Sequence, residues 1–176
     1  LAEIRAQRTS GLIAVQPWIQ LAGEGRVGVG WITSQAADGV AEWRQPDGAG
    51  STSEWRTAWF SEDGLKQANG TSQRAVVTGY AADKPLYVRI KSRPVASFKP
   101  YKVVFGEPEY SQVRVLPALA RSGGAVSFAV FNDVHNREQF YPLLMAKAGQ
   151  PVDFVVFNGD VLQDPQNEQD LTGHLL

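Results

Sequence analysis

Cysteine is absent from the 176 residues. Disulfides, thiolate metal sites and a thiol nucleophile are therefore excluded, while the compartment stays open. Also missing is any apolar run long enough to cross a bilayer as a helix. Neither sign of charge dominates: 17 Lys and Arg against 18 Asp and Glu give a formal net charge of −1. Such a balance gives no ground for general affinity to nucleic acid or to an anionic membrane. Histidine is scarce, with two in the chain, His135 and His174. The N-terminus lacks the apolar segment of a signal peptide, because Glu3, Arg5 and Arg8 interrupt it. An exported form would have lost its leader. No internal repeat or low-complexity segment is visible.

What is present is the composition of an ordinary globular protein, with 43% hydrophobic and 20% charged residues. Over the first hundred or so residues the periodicity is that of strands. Val27, Val29 and Trp31 alternate with small residues, and Ala41 and Trp43 form a second short alternation. Asp38-Gly39 and Pro46-Asp47-Gly48 read as the turns that bound it. Trp55 to Phe60 reads as a third strand, stopped by Glu62-Asp63-Gly64. Arg74 to Tyr80, Leu86 to Ile90 and Tyr101 to Phe105 follow, and Tyr110 to Leu116 reads as a connecting strand. Short strands separated by turn residues predict a β-sandwich. The stretch from Tyr80 to Ile90 resembles the E–F corner of fibronectin type III domains, which implies that the Tyr87 hydroxyl bonds back to the corner backbone.

Arg121-Ser-Gly-Gly124 reads as a break, so the expected division is a sandwich domain over residues 1–118 and a second domain over residues 119–176. The pattern then changes. Ala125 to Phe131 and Val152 to Phe157 are nearly continuous apolar runs, as expected of strands buried on both faces. Between them Phe140, Leu143, Leu144 and Ala148 have helical spacing, with Pro142 near the start and Gly149 as the stop. Strand, helix, strand predicts a βαβ unit with parallel strands. Leu171, Leu175 and Leu176 predict a further helix.

Chemistry gathers at the ends of those two runs. Asn132-Asp133-Val134-His135-Asn136 follows the first, and Asn158-Gly159-Asp160 follows the second. In open α/β sheets ligands bind beyond the carboxyl ends of the strands, so a βαβ unit brings Asp133, His135 and Asp160 to one edge. Two carboxylates and an imidazole suit hard or borderline divalent metals such as Mn, Zn or Fe. Taken singly, each residue has a plainer explanation: a capping carboxylate, a polar loop residue, a turn residue after glycine. Their joint placement favours metal ligation. Asn132 and Asn158 are expected to orient the loops, and Asp164 to cap or turn its own. His174 sits in a leucine-flanked stretch and reads as a packing or surface residue.

Asp-x-His after one strand and Gly-Asp after the next resemble the opening of the calcineurin-like metallophosphoesterase signature, over Ala125 to about Asp164. The resemblance implies that Asp133 and His135 bind a first metal and that Asp160 bridges to a second. It implies a bridging water or hydroxide that attacks a phosphate mono- or diester, and an exported protein, periplasmic or extracellular. Purple acid phosphatases carry a comparable sandwich before the catalytic domain. This sequence departs from that subgroup: His135 stands in place of its glycine and Gln163 in place of its metal-binding tyrosine, so no tyrosinate–iron colour is expected. The family's Gly-Asn-His-Asp/Glu motif does not occur in the 176 residues. The metal site is therefore expected to need the remainder of a catalytic domain, and the chain alone to show little phosphatase activity.

The rival expectation is a non-catalytic binding or assembly module, its sandwich docking to a glycan, a cell surface or a partner. Trp31 and Trp43 read as core, whereas Trp55 and Trp59 are the tryptophans that an exposed patch would use. Asn69-Gly70-Thr71 matches a glycosylation sequon.

Overall fold

The computed structural model describes residues 11–23, 25–47, 54–118, 125–137, 139–149, 152–166 and 170. The chain divides into two compact units, one ending at Arg121 and the other beginning at Ser122. The break expected at Arg121–Gly124 lies outside the described residues, as do the C-terminal helix and His174.

The first unit is built from β1 (Ile13–Leu21), β2 (Arg26–Arg44), β3 (Arg56–Trp59), β4 (Ser61–Glu62), β5 (Leu65–Lys66), β6 (Gly70–Thr78), β7 (Leu86–Lys99), β8 (Lys102–Phe105), β9 (Glu109–Tyr110) and β10 (Arg114–Leu116). Every pairing among them is antiparallel. The first half of β2 pairs with β1 and β6, and its second half pairs with β3 and β7. A register shift between Ile32 and Ala37 separates the halves. One long strand can thereby serve both layers, as strands do at the corners of sandwiches. This mostly β architecture is consistent with a β-sandwich.

The core follows the period-2 pattern. Val27, Val29 and Trp31 of β2 pack with Ala75 and Val77 of β6, with Leu86, Val88 and Ile90 of β7, and with Ile13 of β1. Trp31 is fully buried, and its indole N–H donates to the Ser92 hydroxyl at 3.1 Å, so the one polar atom of the ring is satisfied.

Three expectations change. Asp38-Gly39 is not a turn: both residues lie inside β2, opposite Arg93 and Ser92. Glycine is there for close approach, since a Cβ on Gly39 would come within 2.6 Å of the Trp31 ring. Second, β1 is a strand that the sequence did not announce. Pro17 lies in it, at a register irregularity between Val15 and Trp18 on a strand at the sheet edge, where a missing donor is tolerated. Third, the corner at Ala81–Pro85 is held by Gln45 rather than Tyr87. The Gln45 amide donates to Ala81 O at 2.8 Å and to Lys84 O at 3.2 Å, and accepts from Ala81 N–H at 2.7 Å. Tyr87 forms no hydrogen bond to the corner among the described residues. The Glu62-Asp63-Gly64 turn is found as expected. Asp63 and Gly64, with φ of 50° and 78°, are the two loop residues of the β4–β5 hairpin, the left-handed pair of a type I′ turn.

The second unit contains β11 (Phe128–Phe131), α1 (Phe140–Ala148) and β12 (Phe154–Phe157). β11 and β12 are parallel, with Phe128 opposite Phe154 and Phe131 opposite Phe157. Pro142 falls in the first turn of α1, where its missing N–H costs nothing, and Gly149 closes the helix at φ 68°. The expectation that both strands are buried on both faces is not met. Phe131 is buried, but all four residues of β12 are exposed, and Phe128 is 57% exposed. Nor do Phe140, Leu143 and Leu144 form the covered face of α1. The half-buried residues are Tyr141 and Met145, one turn apart, and Tyr141 meets Phe131 and Phe157 edge-on at centroid distances of 4.9 and 5.2 Å. Two strands and one helix offer too little surface to cover every apolar side chain they carry. No described helix is long and apolar enough to cross a membrane.

Candidate metal centre at the ends of two parallel strands

The loops after β11 and β12 leave the sheet side by side and remain bonded to one another. Asn158 N–H donates to Phe131 O at 2.9 Å, His135 N–H to Asp160 O at 3.0 Å, and Asn136 N–H to Val161 O at 2.9 Å. Asp133 N–H reaches Gly159 O at 3.4 Å. Side chains add to this zipper. The Asn158 amide donates to Asn132 Oδ1 at 2.8 Å, and Asn136 Oδ1 accepts from Gln163 N–H at 3.2 Å. Asp133, His135 and Asp160 are thus on two loops that are joined backbone to backbone. Val134, between Asp133 and His135, is buried and so anchors the first loop.

The backbone here is unusual. Asp133, His135, Asn136 and Asp160 have φ of 51°, 49°, 62° and 43°, and Gly159 has φ 83°. Left-handed backbone costs an ordinary residue about 1–2 kcal/mol. Asp, Asn and His tolerate it best, and it persists where surrounding bonds fix it. The zipper supplies those bonds. Elsewhere among the described residues, only Asp63 and Tyr101 share this conformation without being glycine. Four such residues in two adjoining loops therefore mark a constrained edge, of the kind that recurs at ligand sites and switch regions.

The side chains are close but do not enclose a cation. His135 Nε2 lies 3.9 Å from Asp133 Oδ1, with side-chain exposures of 42% and 69%. No group of three His, Asp or Glu side chains converges among the described residues. The donor types fit a hard or borderline divalent metal. Both members of the pair are open to solvent, so turning them toward a shared ion requires no repacking. Asp164 accepts from the Gln166 side-chain amide at 2.9 Å, as expected of a loop-shaping residue. Asn136 was not singled out in the sequence, although it bonds to the second loop through both main chain and side chain. Its signal was present: asparagine after a ligand-like histidine is a residue suited to the left-handed conformation that the loop needs.

No family model and no curated protein sequence matches the chain. Among solved structures it is similar to the purple acid phosphatase PPD1 isolated from yellow lupin (Lupinus luteus) seeds, at 12% identity and TM-score 0.53, over 83% of this chain and 29% of that one. A cytokine receptor complex matches at 19% identity and TM-score 0.41, over 61% of this chain and 53% of that one. A bromine derivative of BhCBM56 matches at 8% identity and TM-score 0.36, over 63% and 98%. The chain thus spans less than a third of the phosphatase's length, and the likeness to it is one of fold.

Proposed function

We propose that this chain provides the opening part of a two-metal phosphoesterase that hydrolyses phosphate mono- or diesters. The observation that carries the reading is the bonded pair of loops, which holds Asp133, His135 and Asp160 at the carboxyl ends of two parallel strands. The fold-level likeness to a purple acid phosphatase supports it. Asp133 and His135 would hold one metal, and Asp160 would lie between the two. Bound divalent metals in such sites supply a nucleophilic water at neutral pH and clamp the oxygens of an in-line displacement. The chain's own residues do the positioning. Asn132 and Asn158 tie the two strand ends together, and Asn136 ties the first loop to Gln163. Three donors cannot complete two coordination shells, so turnover requires further ligands and phosphate-binding groups beyond these three.

The test is Mn²⁺ and Zn²⁺ binding by calorimetry, for the wild-type chain and for Asp160→Asn and His135→Ala. The expected result is weak binding by the wild type that falls at least about tenfold in each variant. Unchanged binding in both variants would remove the metal reading. Hydrolysis of p-nitrophenyl phosphate by the chain alone at an ordinary enzymatic rate would show that three donors suffice and overturn the incomplete-site assignment.

A further inference from the structure

A second feature lies on the first unit, on the face of β2 opposite the core. Alternation along β2 puts Asp38, Val40 and Glu42 on that face. Cross-strand register sets Asp38 beside Arg93, Val40 between Trp59 and Lys91, and Glu42 between Thr57 and Arg89. Tyr110 of β9 follows next to Lys91. A shallow cavity of about 250 Å³ opens here, with Asp38, Val40, Glu42, Trp59, Lys91 and Arg93 in its lining.

Its chemistry is mixed and ordered. Both carboxylates are engaged: Asp38 is ion-paired with Lys66 and Arg93, and Glu42 bonds Arg89 at 2.7 Å. Lys91 forms no ion pair among the described residues, and its ammonium lies 5.7 Å from the centre of the Tyr110 ring. Across the row Trp59–Val40–Lys91–Tyr110, the two aromatic residues are half exposed, at 50% and 46%. Each already has a cation over its ring, Lys66 at 3.8 Å from the centre of Trp59 and Arg89 at 4.9 Å from that of Tyr110, so a ligand meets the ring surface that these leave open. Three strand spacings separate them, about 14 Å, which is the span of a short oligosaccharide. Between the rings the floor is low, because Val40 is short and buried.

These features discriminate among ligands. A peptide takes a free strand edge or an apolar pocket for anchor side chains, and this hollow is on the face of paired strands. A nucleic acid seeks a continuous positive groove along which successive phosphates track, whereas here Lys91 is the one lining cation outside an ion pair among the described residues. A pyranose ring offers an apolar C–H face for an aromatic ring and hydroxyls for the flanking donors and acceptors. Lys91, which is in no ion pair among the described residues, adds a preference for negative charge on the ligand. We propose that this hollow binds an oligosaccharide that carries a carboxylate, with Trp59 as the stacking ring and Lys91 as the partner of the carboxylate. Its lining comes from the first unit alone.

Calorimetry with a short oligogalacturonate, a cello-oligosaccharide of equal length and oligothymidylate tests this on the whole chain. The wild type is expected to bind the oligogalacturonate at least about tenfold more tightly than either other probe. Trp59→Ala and Lys91→Gln each weaken that binding by about tenfold or more, while their melting temperatures and the binding of Asp160→Asn stay at wild-type values. Equal affinity for the two sugars, preference for oligothymidylate, no binding of oligogalacturonate, or Lys91→Gln binding as tightly as wild type would each overturn the proposal. Should Trp59→Ala unfold, Lys91→Gln decides alone, because its side chain takes no part in the core.

Discussion

The two units use the same apolar alphabet and reach different outcomes. Val27, Val29 and Trp31 of β2 are almost without solvent exposure, whereas Val155, Val156 and Phe157 of β12 are all exposed. Residue type does not account for the contrast, because both segments are dense in apolar residues. What differs is the opposite layer. In the first unit, β2 pairs with β6 along one half and β7 along the other, and its Val27, Val29 and Trp31 pack in one core with Leu86, Val88 and Ile90 of β7. In the second, one helix touches the strand pair mainly through Tyr141. Burial stabilises by removing area from water, at about 25 cal/mol per Å². A strand therefore gains that stabilisation only where something lies against it.

Truncating an aromatic on each side gives the largest test of this contrast. Trp31→Ala removes a fully buried indole and leaves the Ser92 hydroxyl unpaired. The expected loss is about 3–5 kcal/mol. Phe128→Ala, at a 57% exposed ring stacked on Phe154, is expected to cost about 1 kcal/mol or less. Urea denaturation of both variants measures this, and equal losses would mean that the strands of the second unit are as well covered as the sandwich core.

A smaller effect is expected at Asp38, which is 4% exposed on the outer side of the same strand. Burial pushes its carboxyl up, and hydrogen bonds and charge from Arg93 and Lys66 outweigh that effect, so it is held below the ordinary value of 3.8. A carboxylate depressed in this way contributes stability that is fully present above 3.8 and is lost as the pH falls below it toward the folded-state value. Asp38→Asn is expected to cost about 1–3 kcal/mol at neutral pH, and the gap from wild type should narrow in acid. Denaturation at pH 7 and pH 3 reads both effects, and a gap that stays constant would exclude the ion pairs as its source.

The smallest effect is expected at the strand-end loops, where stability and binding should move in opposite directions. His135 has φ 49°, so His135→Gly relieves left-handed strain and is expected to raise stability by about 0.5–1 kcal/mol. The same change removes a proposed metal donor. A variant that loses stability together with metal binding would show that the imidazole supports the loop, and a variant more stable but still binding metal would shift ligation to the carboxylates.

Much of the first unit was legible in the sequence, because antiparallel strands with one solvent face impose alternation: Leu86, Val88 and Ile90 inward, Tyr87, Arg89 and Lys91 outward. What misled was punctuation. Gly39 looks like a turn residue until Trp31 is seen to fill the space its side chain would occupy, and Pro17 hides a strand that the sheet edge tolerates. The candidate site was legible as residue types and not as a zipper. Asp133, His135 and Asp160 stand out by spacing. That His135 N–H bonds to Asp160 O, and that Asn136 reaches Gln163, depends on parallel pairing between segments about 25 residues apart, which no local pattern encodes.

Local periodicity and turn residues set the strand-rich first unit, the parallel strand pair and the residue types at its ends. Only the tertiary structure decided which apolar faces are covered, which glycine serves packing, and that Trp59, Lys91 and Tyr110 stand in one row. These are properties of register and of opposing layers, set by contacts between residues far apart in the chain.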